Sequence, residues 1–534
     1  MKVSSNTYLG TLRLAIQVFF ASLKPDCSSP THFLTPGLGL LLVAIMAISC
    51  SIAHAQSSGS IELGFFEESS SQPLVCRVQL LDSRGRPRRV RGAAFHKGWS
   101  LVDGKLEFQG PPGNYTYRAT HGPQFAAASG GFTLDKQAAG VDSVYLPRHA
   151  NLADESWLGG DLLVLASANI AADWLPAEDL DMAVCIANQP QEVLAPVTKV
   201  NSEWVESHSF RDSRPGSGLV LHHWQTPAEV PESVPSSRLL VMAKKAELPA
   251  GGLPVHAEVQ RLWARDLPIW LASGMVDSIQ LLSEHLTYDG TGQSASRPLV
   301  DPAPGIYHGN HAAGRTIENI YWRVLDAGLR IPPTAGSGFG KNASPLGYNR
   351  VYAKLGSRTP WSWWQAIESG NSFVSNGPLL RATVNGEDPG KVFEVQAGQE
   401  LTLDVALALT VSDPVDYLDV IYNGETLYQA RLDEFAKQGG KIPLLKVDQS
   451  GWIVVRVVTR FEPSYRLATT APYYIQVAGQ PRISRGAVAF FQTWLSEAKK
   501  EISRLDEPAA SAAEPYITAA ERFWENQLNR ANAP

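Results

Sequence analysis

The chain has 534 residues, 44% hydrophobic and 18% charged, with 46 basic and 52 acidic side chains giving a formal net charge of −6. This is a globular composition at a length that fits roughly three domains, with no basic excess for nucleic acid and no like-charge tail. The cluster RGRPRRVR (Arg84 to Arg91) is the local exception; it reads as a solvated turn, with an anionic partner as the alternative.

Residues 1–55 read as a targeting segment. The uncharged run GLGLLLVAIMAISCSIA (residues 37–53) precedes Ala53-His54-Ala55, a small-x-small cleavage pattern, so export after cleavage near Ala55 is expected. A membrane anchor formed by residues 37–53 is the alternative, because the run approaches spanning length. Cleavage would leave two cysteines, Cys76 and Cys185, in different predicted domains, and whether they pair is open from sequence. With no C-x-x-C motif, a thiolate zinc site is not expected.

Residues 61–150 carry short alternating runs such as VCRVQLL, separated by turn signals. They predict an N-terminal β-sandwich, with a hairpin at Asp103-Gly104. Over 155–380, apolar runs (LLVL, DMAVCIA, RLLVMA, VDSIQLL) read as strands. They alternate with helical segments ending in Gly274, Gly328 and Gly370. That alternation predicts an α/β barrel built on a largely parallel sheet, with 290–315 as a long loop. Residues 381–478 return to strand patterns and predict a C-terminal β-sandwich, with Asn423-Gly424 as its clearest hairpin. Residues 484–530 predict C-terminal helices. In the first, Phe490, Phe491, Trp494, Leu495, Ala498, Ile502 and Leu505 share a face. In the last, Ile517, Phe523, Trp524 and Leu528 are placed for packing.

From about residue 75 onward, several blocks resemble the CehA/McbA-type metallohydrolases, relatives of the polymerase-and-histidinol-phosphatase (PHP) barrel. WLGGDLLVL and AEDL resemble the first barrel strand and helix. DLPIWLASGMVDSIQLLSEHL resembles the central helix and strand. LRIPPTAGSGFG, PLGYNRVYAKL and SFVSNGPLLRATVNGEDPG resemble later blocks. LDEFAKQGGKIPLLKVDQSGWIVVRVVT, APYYI and QPRISR resemble the trailing β-domain and helix of the long exported members. The resemblance implies a PHP-like (β/α) barrel flanked by two β-sandwiches. It also implies metal-dependent hydrolysis of ester- or phosphoester-like bonds, with two first-strand histidines as metal ligands.

Here those histidine positions are Leu163 and Leu165. Residues i and i+2 of a strand share a face, and two imidazoles there would hold a divalent ion whose bound water becomes a nucleophile. Leucine has no lone pair to give, so the strand reads as one that no longer binds metal. His256, Glu258, Asp266 and His285 survive in the central blocks and are the candidates for a rebuilt mononuclear site. Set against that reading, Asp266 is a helix N-terminal acid and His285 a hydrogen-bonded loop histidine. His222-His223 are neighbours that face opposite ways on a strand. His308 and His311 have chelating spacing only on a helix, and Glu178-Asp179 is expected to cap or pair on the first helix. The cluster Trp361, Trp363 and Trp364 reads as core, with a carbohydrate platform as the alternative.

The expectation is therefore a non-catalytic exported homologue that binds an unknown small molecule or envelope component, without a cofactor. The alternative is an active hydrolase with a rebuilt zinc, manganese or iron site. A structural envelope protein is a third class.

Overall fold

The structure is a computed structural model that describes residues 58–186, 197–200, 202–224, 230–247, 252–292 and 297–534. The expected targeting segment and its cleavage site lie outside the described residues. Eight strands come first: β1 (Gly59–Glu67), β2 (Val75–Asp82), β3 (Phe95–His96), β4 (Trp99–Asp103), β5 (Lys105–Gly110), β6 (Gly113–Thr120), β7 (Ala128–Leu134) and β8 (Ala139–Leu146). They form two sheets, ordered β5-β1-β8 and β3-β4-β2-β6-β7. Alternation explains the shared core: Cys76, Val78 and Leu80 of β2 point inward to meet Leu106 and Phe108 of β5. The predicted hairpin at Asp103-Gly104 is corrected. β4 pairs with β2 and β3, whereas β5 pairs with β1, so Gly104 (φ 67°) turns the chain from one sheet into the other.

The central strands are β9 (Trp157–Val164), β10 (Met182–Ile186), β11 (Val197–Val200), β12 (Glu203–Asp212), β13 (Leu219–His222), β14 (His256–Val259), β15 (Ser278–Leu282), β16 (Pro333–Ala335), β17 (Arg350–Lys354) and β18 (Ser372–Ser375). β9, β10 and β12 run parallel, as do β14, β15 and β16. β13 is antiparallel to both its neighbours, so the sheet is less uniformly parallel than the sequence pattern predicts. The run RLLVMA, read as a strand, lies in a helix, α2 (Ser236–Lys244). Pro235 starts it, and Leu239, Leu240 and Ala243 are buried at helical spacing.

Beyond β16 the chain returns to β9. Gly338 N donates to Leu163 O and Leu165 N donates to Phe339 O, each at 2.8 Å, with a parallel bridge between Val164 and Phe339. A Cβ on Gly336 would collide with Leu163, so glycine is needed where the two segments close. β9, β10, β12, β13, β14, β15 and β16 thus curl until the sheet meets itself.

On its other edge β9 pairs with β17, and the sheet continues antiparallel through β18 into the C-terminal region. That region contains β19 (Leu379–Val384), β20 (Val392–Val395), β21 (Leu401–Leu403), β22 (Val405–Thr410), β23 (Val415–Tyr422), β24 (Glu425–Ala430), β25 (Leu445–Val447), β26 (Gly451–Thr459), β27 (Arg466–Thr470) and β28 (Tyr473–Val477). Asn423 (φ 52°) and Gly424 (φ 80°) form the expected hairpin between β23 and β24.

The other helices are α1 (Ala168–Trp174), α3 (Leu267–Ala272), α4 (Ala312–Asp326), α5 (Pro360–Glu368), α6 (Leu432–Lys437), α7 (Arg485–Ile502) and α8 (Glu507–Arg530). α7 buries Phe491, Trp494, Leu495, Ala498 and Ile502 of its predicted face, but Leu505 lies past its end and is exposed. α8 starts before the predicted segment, with Pro508 in its first turn, and buries Ile517 and Trp524. Trp524 Nε1 donates to Pro268 O at 3.0 Å, tying α8 to α3. The protein is mixed α/β and strand-rich, and Ser57–Pro534 forms one compact unit. Among the described residues no helix is long and apolar enough to cross a membrane.

Candidate functional site

β9 sets up two faces. Leu158 and Leu162 join the helix-side core, while Asp161 and Leu163 point into the curled sheet. Gly160 sits under the Trp363 indole, where a Cβ would clash. Leu163 is fully buried with Ile186 and Val220, and Leu165 is partly buried against them. Hydrocarbon therefore lines the positions where the family resemblance implies metal ligands. Asp161, also fully buried, accepts from Leu163 N at 3.0 Å, Ser337 N at 2.9 Å and Gly347 N at 2.8 Å, and from the Ser337 hydroxyl. Burial raises its pKa, and these hydrogen bonds offset only part of the shift. Its role is to hold the closing segment against β9.

The opposite wall is polar. VHAEVQ alternates, so Ala257 and Val259 go to the core while His256, Glu258 and Gln260 face inward. Glu258 is a hub. It accepts from Gln280 Nε2 at 2.6 Å, His222 Nε2 at 3.2 Å and Ser278 Oγ at 3.5 Å, and from the Thr334 hydroxyl. His222 sits opposite His256 in the β13–β14 register, and Ser209 Oγ donates to its Nδ1 at 2.9 Å. Burial lowers the His222 pKa, which keeps the ring neutral with its proton on Nε2. His256 meets Ser278 Oγ through Nε2 at 2.7 Å, and its Nδ1 donates to Glu368 Oε1 at 3.2 Å.

The network continues from Gln280 and Ser283 through Gln260 to Arg211. Arg211 and Arg261 then share Glu284 Oε1, at 2.7 and 2.8 Å. Burial opposes ionisation of Glu284, but the two guanidiniums outweigh it and hold its pKa below the usual value.

Of the four surviving candidates, the structure brings His256 and Glu258 together on one face. Asp266 stands at the N-cap of α3, as its simpler reading has it, but its carboxylate pairs with Arg265 at 2.7 Å and makes no cap hydrogen bond. His285 is fully buried against Trp263, their ring centroids 5.2 Å apart. The expected hydrogen-bonded loop histidine is corrected, since neither ring nitrogen of His285 has a partner among the described residues. Burial pushes its pKa down to about 3. Among the described residues no three His, Cys, Asp or Glu side chains gather where they could hold a metal ion. Leu163 and Leu165 offer no donor, and His256 and Glu258 are already engaged, so this donor set does not fit a divalent ion.

His222 and His223 diverge as expected: His223 donates to Pro254 O and Glu206 rather than to Glu258. Adjacency in sequence does not show that His222 faces His256 across the strands. His308 and His311 bond separate carbonyls, those of Gly305 and Phe461. Glu178 reaches out of the first helical region to Arg77 of the N-terminal sheets, at 3.2 Å. Trp363 and Trp364 are core, with Trp364 Nε1 donating to Glu206 at 2.9 Å, while Trp361 is exposed. Cys76 and Cys185 are both buried, in separate core clusters, and no disulfide joins them.

A second polar region lies where the N-terminal sheets, the curled sheet and the C-terminal strands meet. It is a cavity of about 160 Å³ whose lining includes Arg77, Glu178, Arg350, Asp413 and Arg466. Sequence reasoning missed it, because these residues come from distant segments with no common motif.

No protein-family model matches this chain, and no curated protein matches it. Among solved structures, a pilus-presented adhesin, Spy0125 (Cpa), matches at 12% identity over 17% of this chain and 27% of the adhesin, with a TM-score of 0.13. A likeness at that level carries no argument about fold or function.

Proposed function

We propose that this protein is a non-catalytic relative of the CehA/McbA-type metallohydrolases, exported after cleavage near Ala55, that acts by binding a small molecule or an envelope component. The curled seven-strand sheet, with strand-rich regions before and after it, supports a PHP-like barrel as the scaffold. The observation that carries the reading is Leu163. It stands on the inward face of the first strand of that sheet, packed on Ile186 and Val220 where an imidazole would be needed. The neighbouring polar wall supports it too, because Glu258 spends its carboxylate on Gln280, His222, Ser278 and Thr334. A carboxylate saturated by neutral donors is held as structure.

One observation favours the alternative, a hydrolase with a rebuilt site: His285 has both nitrogens without partners among the described residues. Elemental mass spectrometry of the purified chain decides between them, alongside the double variant Leu163→His/Leu165→His. The binding reading expects no stoichiometric zinc, manganese or iron in the wild type, and metal uptake in the double variant. Stoichiometric metal in the wild type, with metal-dependent cleavage of a nitrophenyl phosphodiester, would establish the rebuilt hydrolase.

A further inference from the structure

The cavity at the junction of the three strand-rich regions differs from the sheet interior in what it leaves open. Three guanidiniums line it against two carboxylates, Glu178 and Asp413, leaving one positive charge in excess. Arg350 is 4% exposed, and its Nε and Nη1 donate to the carbonyls of Gly347 and Glu178, at 2.5 and 3.1 Å. Those are backbone acceptors, so among the described residues its charge has no carboxylate bonded to it. Arg466 is pinned by design of its surroundings. Its Nη1 donates to Asp413 at 2.6 Å, its guanidinium lies 3.4 Å from the Phe461 ring centroid, and Gly377 leaves room for its stem. The Arg466 Nε–H is buried and has no acceptor among the described residues. A buried donor left unpaired costs about 1–3 kcal/mol, so an acceptor from outside the chain would be favoured there. Burial raises the Glu178 pKa, and Arg77, 3.2 Å from its carboxylate, opposes that rise as its ion-pair partner.

The lining adds two aromatic rings, and the Tyr348 hydroxyl accepts from Arg466 Nη2 at 3.4 Å. Tyr288 and Tyr348, both in the lining, meet edge to face at 5.7 Å. Planar guanidiniums favour flat, two-oxygen acceptors, and one excess positive charge matches a monoanion better than a phosphate dianion.

We propose that this cavity is the ligand site and that it takes a small organic carboxylate, held by Arg350 and Arg466 with its body against Tyr288 and Tyr348. The assignment rests on reading the chain as a binding protein. Titration calorimetry on the full-length chain, with benzoate as the probe, tests it against benzamide and inorganic phosphate. Saturable benzoate binding is expected, with benzamide silent and phosphate weaker. Arg466→Gln should weaken benzoate by roughly tenfold or more. Ser412 is an exposed residue of the lining, so Ser412→Glu adds a carboxylate without disturbing the core and should weaken benzoate to a similar degree, with an unchanged circular dichroism spectrum.

Equal binding of benzoate and benzamide, tighter binding of phosphate, or wild-type affinity in Ser412→Glu would each overturn the assignment. No benzoate binding by a wild type that is metal-free and inert toward the phosphodiester removes only the cavity assignment. Metal-dependent hydrolysis by the wild type removes the binding reading itself, whatever benzoate does.

Discussion

The interior of the curled sheet and the cavity at the three-way junction are both built from buried charge, yet they treat it differently. Inside the sheet, Glu258 is surrounded by donors from four side chains, and Glu284 is shared by two arginines. At the junction, Arg350 donates to backbone carbonyls, and Arg466 keeps a buried N–H with no acceptor among the described residues. The contrast separates charge that is part of the folded structure from charge that is available to a ligand. A saturated group loses more by giving up a partner than a ligand returns, whereas an unsaturated one gains.

The largest test of this contrast is Glu258→Ala. It would strand His222 Nε2, Gln280 Nε2 and Thr334 Oγ1 in a fully buried site, so a loss of about 3–5 kcal/mol is expected in urea denaturation. Glu258→Gln keeps one acceptor and should lose less. A loss below about 1 kcal/mol for the alanine variant would mean that the network is slack and open to a ligand, and the contrast would fail. Leu163→His alone comes next. It places an imidazole against Ile186 and Val220 with no designed partner, and about 2–3 kcal/mol is the expected cost without added metal. If zinc restores that loss in the single variant, donors beyond Leu163 are already in position, and the rebuilt hydrolase gains ground.

Arg466→Gln should cost little by comparison. Asp413, its partner, keeps 26% of its side chain exposed and can return to water when the guanidinium goes. About 1–2 kcal/mol is expected in the same denaturation series, the lost Phe461 ring contact included. A loss as large as that of Glu258→Ala would make Arg466 a structural residue and would count against the junction as a ligand site.

How legible each region was follows from its geometry. VHAEVQ and VDSIQLL alternate apolar and polar residues, so a strand with one core face and one polar face can be read directly, and His256 with Glu258 falls out of it. GDLLVL shows the same alternation in hydrocarbon. What sequence could not give was partners. Adjacency correctly separates His222 from His223, but only the β13–β14 register puts His222 opposite His256. RLLVMA reads as a strand because a short apolar run has no period of its own, and it is helical in a segment that Pro235 opens. Asp103-Gly104 carries a hairpin signature but serves as a corner, since local turn chemistry does not say which sheet the next strand joins. The junction cavity was invisible because Arg77, Arg350 and Arg466 are brought together by the packing of three regions.

One residue in the sheet region breaks the pattern of saturation, and its effect is the most diagnostic. His285 is fully buried with neither nitrogen partnered among the described residues, and its pKa is driven down to about 3. The folded protein therefore holds His285 neutral down to about pH 3, while the unfolded chain binds a proton near its ordinary pKa of about 6.5. Between those values the unfolded state carries the extra proton. The contribution is fully present above about pH 6.5 and is lost as the pH falls, at up to about 1.4 kcal/mol per unit. His285→Phe removes the titration while filling similar space against Trp263, so at pH 7 it should lie within about 1.5 kcal/mol of wild type. Urea denaturation of both proteins from pH 7 to pH 4.5 should show the variant gaining on wild type as the pH falls, with the difference isolating His285 from every other acid-sensitive group. A constant difference would mean that the folded protein lets His285 take up a proton as readily as the unfolded chain does, so that the ring is open to water or faces an acceptor.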